Sequence, residues 1–248
     1  MMLSVCYADD MTLSVTSSAA LPPAVGEVRV RVAYVGLCAD DLDALHGSPG
    51  HEMSGLVDAV GGGVQGWQRG DAVTVMAGGG ALRTLWNVPA DRLVAIPDGL
   101  ALDAAALIEP VAVAVHAVRH AHLEPGARRV VFGGDPSGVL LAVVARHAGA
   151  EITVAEPDPF RRRLLTTLGF PVIDPRRGDT GADPALQPSG TPCHHRGDFE
   201  TAVTLLADGI IPSDLLISRL VPLAEFQDAF DDLDSSRPTK VLVDVQAI

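Results

Sequence analysis

Cys38, His51, Glu52 and Glu109 are of residue types that can ligate a metal ion. A catalytic zinc takes about three ligands of the nitrogen, sulfur or oxygen type and keeps one position open. Taken singly, each has a plainer role: Cys38 as a small core thiol, His51 as a loop imidazole. Asp40, two residues beyond Cys38, adds a carboxylate that can accept a proton as a general base. A second set begins where the apolar run Arg129–Phe132 meets Gly133-Gly134-Asp135-Pro136-Ser137-Gly138. A glycine-rich turn between a strand and a helix lets backbone approach a phosphate. Glu156 follows 23 residues beyond Gly133, and Arg161 opens a basic cluster with Arg162 and Arg163.

These residues need elements to position them. Residues 26–35 alternate apolar and polar, which predicts a half-buried strand. Residues 36–52 read as a loop with a short helical turn, and 53–60 and 71–76 as strands joined by a glycine-rich connector. Residues 102–122 are alanine-rich and apolar, predicting one long helix with a kink at Pro110. Then come a strand at 129–132, a helix at 138–148, a strand at 152–155, a helix at 159–168 and a short strand at 172–173. This βαβαβ order predicts a parallel sheet and an α/β fold. Residues 176–197 read as loop, 198–208 and 223–233 as helices, and 240–245 as a closing strand. His116 is expected on the apolar face of the long helix, with His120 and His122 near its end. His46, and His194 and His195 beside Cys193, carry little signal.

Composition narrows the function. The chain has 248 residues, 48% hydrophobic and 20% charged, enough for a core. The net charge of −13 argues against nucleic acid and against an anionic membrane surface as partners. Of 18 basic residues, Lys240 alone is a lysine, as a GC-rich coding bias would give. Cys6, Cys38 and Cys193 fit a reducing compartment and no disulfide framework. With no cationic leader and no apolar run long enough to span a bilayer, a cytoplasmic location is expected.

The ordered set GLCADD at 36–41, PGHE at 49–52, GDAVTV at 70–75, IPDGL at 96–100 and IEP at 108–110, followed by the glycine-rich turn, resembles the zinc-type alcohol dehydrogenases of the medium-chain dehydrogenase/reductase family. The stretch AEPDPFRRRLLTTLGF and the Glu109-Pro110 pair resemble its polyol and threonine dehydrogenase branch. The resemblance implies a GroES-like β-domain, residues 1–122 and 212–248, beside a truncated Rossmann-type doubly wound parallel sheet, residues 123–211. It implies Cys38 and His51 as zinc ligands, with Glu52 or Glu109 as the carboxylate and Asp41 orienting a ligand from behind. It further implies NAD on Gly133, Gly134, Gly138, Glu156 and Arg161, and a small hydroxylated substrate: a polyol, cyclitol or amino alcohol. A homodimer is compatible with it, though the strand that would pair lies in the missing region.

Four departures bear on function. Cys38 and His51 are only 13 residues apart, which shortens a wall of the substrate pocket. Asp40 stands where the family has a hydroxyl residue. Asp135 replaces the glycine against which the pyrophosphate rests. The nucleotide domain lacks its second half. Three readings stay open: a zinc-dependent dehydrogenase with catalytic residues Cys38, Asp40, His51 and Glu52; an NAD-independent zinc isomerase, lyase, dehydratase or cyclase; and a non-catalytic descendant.

Overall fold

The computed structural model describes residues 1–8, 12–42, 49–178, 183–187, 195–233 and 240–247. In chain order the elements are β1 (Met2–Tyr7), β2 (Leu13–Ser18), β3 (Glu27–Gly36), β4 (Glu52–Val60), β5 (Ala72–Val75), β6 (Leu85–Pro89), β7 (Leu93–Ala95), α1 (Leu102–Ala105) and α2 (Ile108–His120). Then follow β8 (Arg128–Phe132), α3 (Pro136–His147), β9 (Glu151–Ala155), α4 (Pro159–Thr167), β10 (Val172–Ile173) and β11 (Ala185–Leu186). The last are α5 (Arg196–Ala207), α6 (Ser213–Leu216), β12 (Ile217–Pro222), α7 (Phe226–Leu233) and β13 (Lys240–Asp244). The chain divides into two compact units, one of Met1–Glu109 with Ile217–Ser236 and Lys240–Ile248, the other chiefly Pro110–Leu216. The division at Pro110 falls earlier than residue 123, where the sequence reading starts the second domain.

The first unit is a β-structure. Its seven-stranded sheet runs β12-β13-β3-β4-β5-β7, with β6 also paired to β3. The predicted alternation in β3 is real: Val28, Val30 and Val32 are fully buried while Arg31 faces solvent. The C-terminal strand β13 pairs antiparallel with β3, so the end of the chain completes the sheet. The core joins Val30, Val35, Met53, Leu82 and Leu93 to Val243, with Trp67 and Trp86 packed partly buried at its margin. An antiparallel hairpin, β1 with β2, belongs to the same unit.

The second unit carries a parallel four-stranded sheet in the order β10-β9-β8-β11. Helix α3 is apolar nearly all round and buried from Gly138 to Ala145, as such a helix must be. Strand β11 lies within the stretch expected to be loop; Ala185 and Leu186 pair with Val130 and Val131, and Leu186 is buried.

One local expectation is corrected. Residues 102–122 form no single helix kinked at Pro110: α1 ends at Ala105 and α2 begins at Ile108. Pro110 thus lies in the first turn of α2, where its missing N–H has no intrahelical acceptor to satisfy and the helix loses nothing. Among the described residues no helix is long and apolar enough to cross a membrane.

Candidate active site

Cys38 follows the end of β3 and caps a one-turn 3-10 helix, Ala39–Asp41. That turn directs the Asp41 carboxylate back across the loop. One oxygen accepts the Cys38 N–H at 3.0 Å and the other the Gly50 N–H at 2.8 Å. Asp41 therefore clamps the two loops that carry Cys38 and His51. The Tyr7 hydroxyl donates to the Asp41 carbonyl at 2.7 Å, tying the N-terminal hairpin to the same turn. With 3% exposure, burial pushes the Asp41 carboxyl up, but the neighbouring His51, and after it the Gly50 and Cys38 N–H groups, hold it below the ordinary range.

His51 lies between the clamp and the thiol. Its Nε2 is 3.4 Å from Cys38 Sγ. Its Nδ1 is 3.6 Å from Asp41 Oδ1, a contact of charges and too long for a hydrogen bond. Burial would lower the imidazole pKa, but the neighbouring Asp41 and Cys38 outweigh it and carry it up to about 12. Burial pushes the Cys38 thiol up, partly offset by His51.

Two carboxylates complete the cluster. Glu52 opens β4 and is 2% exposed. Lys240 Nζ donates to its Oε1 at 2.5 Å, while Oε2 is buried without a hydrogen-bond partner. Glu109 sits in the first turn of α2. Its residue surface is partly open, but burial of the carboxyl, then the charge of Glu52, raise its pKa to about 7. The ligand atoms of Cys38, Asp41 and His51 lie within 4.8 Å of one another, and so do those of His51, Glu52 and Glu109. His51 is common to the two groups, so a thiol on one side of it and two carboxylates on the other, one with a bare buried oxygen, offer donors of the kinds that zinc takes. Asp40 stands exposed on the 3-10 turn, outside both groups, though its charge reaches Glu109.

The second expected site lies in the other unit. Gly133 has a φ of +98°, a left-handed turn that favours glycine. A side chain at Gly138 would overlap the Gly133 carbonyl, so this glycine allows the close approach of turn and helix. Asp135 is the N-cap of α3, its Oδ1 accepting the Gly138 N–H at 2.8 Å. Glu156, at the end of β9, is 1% exposed and turned inward. Its oxygens accept the N–H groups of Gly134 and Asp158, each at 2.5 Å. The Arg161 backbone N–H is held by Asp158, and its side-chain Nε is buried without a partner. As folded, this turn places a carboxylate at the start of α3, where its charge would repel a dinucleotide pyrophosphate, and that carboxylate already holds the Gly138 N–H.

The remaining histidines separate. His116 Nδ1 lies 2.9 Å from Asp198 Oδ2, and Asp198 also holds Arg119, fixing α5 to α2. The rings of His116 and His120 are 4.2 Å apart. His195 caps α5 by accepting the Gly197 N–H. His46, Cys193 and His194 lie outside the described residues. Sequence reasoning misses Lys240, Gly36 and Tyr7; only Lys240 carries a signal, as the single lysine.

Residues 24–98 match the alcohol dehydrogenase GroES-like domain. The chain is 29% identical to a 2-dehydro-3-deoxy-L-galactonate 5-dehydrogenase of Pseudoalteromonas atlantica, over an alignment of 339 residues covering 99% of each chain. That alignment exceeds the 248 residues present here, so the relative carries stretches this chain lacks. It is 30% identical to the (R,R)-butanediol dehydrogenase of Bacillus subtilis over 244 residues, 76% of this chain and 70% of the relative. In fold it matches a short chain alcohol dehydrogenase from Escherichia coli CFT073, complexed with NADH, with a TM-score of 0.85 at 20% identity, covering 98% of this chain and 99% of that one. With the cysteine, histidine and glutamates gathered on such a scaffold, the chain belongs to the zinc-type alcohol dehydrogenases of the medium-chain dehydrogenase/reductase family.

Proposed function

We propose that the chain is an alcohol dehydrogenase-like oxidoreductase that interconverts alcohol and carbonyl on a small hydroxylated molecule, at a zinc ion held by Cys38, His51 and the carboxylate of Glu52 or Glu109. The observation that carries this reading is the 3.4 Å approach of Cys38 Sγ to His51 Nε2 with two carboxylates alongside. Zinc bound there would polarise the substrate oxygen as a Lewis acid. The chain's own residues supply the rest. Asp41 holds the Cys38 and His51 loops at a fixed separation. Glu109 or Glu52, whichever does not ligate the ion, places a second carboxylate beside it that can accept a proton. The relatives named for a sugar acid and for butanediol support a substrate bearing several oxygens. The domain bounds 1–122, 123–211 and 212–248 belong to this reading.

A second reading is favoured by Asp135. With a carboxylate at the nucleotide turn, the same metal site would serve proton-transfer chemistry, as in an isomerase, a lyase or dehydratase, or a cyclase, without a nicotinamide. NADH titration of metal-analysed protein separates the two. One zinc per chain with saturable NADH binding, followed by oxidation of a polyol, supports the oxidoreductase. One zinc with no binding at millimolar NADH moves the assignment to proton transfer. Protein that takes up no zinc refutes both.

A further inference from the structure

Lys240 is the only lysine among 18 basic residues. It opens β13, and the strand pairing explains its position: Gly36 of β3 pairs with Leu242 on one side and Glu52 on the other. Lys240 and Glu52 thus meet across the backbone of Gly36. Their side chains are 6% and 3% exposed. A Cβ at Gly36 would overlap Glu52 Oε2 and approach Lys240 Cε at 3.2 Å, so the pair fills the space that glycine leaves. The slot is narrow.

The charges around Glu52 need an explanation. A buried carboxylate is costly unless paired. Here a second carboxylate, Glu109, lies within 4.8 Å in the same group, and like charges at that range oppose each other. A divalent ion would settle both. In its absence, Lys240 forms the direct ion pair with Glu52, and His51 lies within 4.8 Å of the same carboxylate.

We propose that Lys240 is a positioning residue that holds and neutralises Glu52 in the metal-free protein, so that the site is folded before the ion arrives. This rests on the metal reading above. Because the ion and the ammonium compensate the same carboxylate, loss of Lys240 is felt most without metal.

The test is thermal unfolding of the full chain, in chelator and with added Zn2+, for the wild type, Lys240→Met and the double variant Lys240→Met/Glu52→Gln. Metal-free Lys240→Met should unfold about 10 °C below the wild type. Zn2+ should raise its Tm by more than it raises the wild type, and Glu52→Gln should restore the metal-free Tm. A lysine that merely packs would lower Tm equally with and without Zn2+. If Zn2+ raises wild type and Lys240→Met alike, or Glu52→Gln restores nothing, the proposal is overturned while the metal reading stands. If Zn2+ shifts neither protein, the metal reading falls and takes the proposal with it. Should Lys240→Met fail to fold without the ion, recovery by Glu52→Gln or by Zn2+ supports the proposal, and recovery by neither overturns it.

Discussion

Asp135 is where charge can be removed without disturbing the fold. Asp135→Asn keeps an oxygen to accept the Gly138 N–H, bonded now at 2.8 Å, and Asn caps a helix about as well as Asp. What disappears is the negative charge. A unit charge at about 4 Å from a phosphate oxygen costs about 4 kcal/mol at an effective dielectric of about 20. Asp135 is exposed, so water and salt screen it, and a quarter to a half of that figure, about 1–2 kcal/mol, is the expected gain. That corresponds to roughly five- to thirtyfold tighter NADH binding. Asp135→Gly removes the side chain as well and costs only a few tenths of a kcal/mol at the cap, about enough to register in Tm. The assay is NADH fluorescence titration at low and high salt, with thermal unfolding in parallel. The wild type should close part of the gap at high salt, where its repulsion is screened. Both variants folding normally and still not binding at millimolar NADH would refute the reasoning. The obstacle would then be the short sheet, and no longer the carboxylate.

Asp41→Ala leaves the Cys38 and Gly50 N–H groups without their acceptor, a loss of about 3–5 kcal/mol in urea unfolding and about 10–100-fold in zinc affinity. A variant within about 1 kcal/mol of the parent would contradict the clamp. Because folding lowers the Asp41 pKa, its contribution is present above the ordinary carboxylate range and lost as pH falls through the folded value. Zinc uptake should strengthen with pH. Cys38, pushed up, and His51, at about 12, both carry protons in the metal-free protein and must release them to ligate. Chelator competition between pH 6 and 8 should show up to about a hundredfold gain per pH unit, and a flat profile would count against these two ligands. Asp198→Asn weakens the bonds to Arg119 and His116 and should destabilise the second unit by about 2–3 kcal/mol, discounted because Arg119 is partly exposed. Unchanged unfolding would mean that α5 docks by apolar contacts alone.

Much of the site is legible in the amino-acid sequence. Cys38, His51, Glu52 and Glu109 are ligand types in a recognisable order, and the fold gathers them. The strand at Glu27–Gly36 and the βαβαβ run are equally plain, because alternation and apolar helices are local patterns that a linear reading detects. The β1–β2 hairpin, β6 and β12 escape such a reading, since short strands carry weak patterns and are defined by what they pair with. Pro110 misleads because the break ahead of it, at 106–107, lies in an alanine-rich stretch with no local stop signal. Asp135 stands out in the sequence as a departure, but that its side chain caps α3 is a fact of geometry. Lys240 and Glu52 stand furthest from sequence logic, 188 residues apart. Composition alone determines that the chain has one lysine. Which carboxylate it meets is decided by the register of β13 on β3 and of β3 on β4, because a buried charge takes the partner that sheet pairing places beside it.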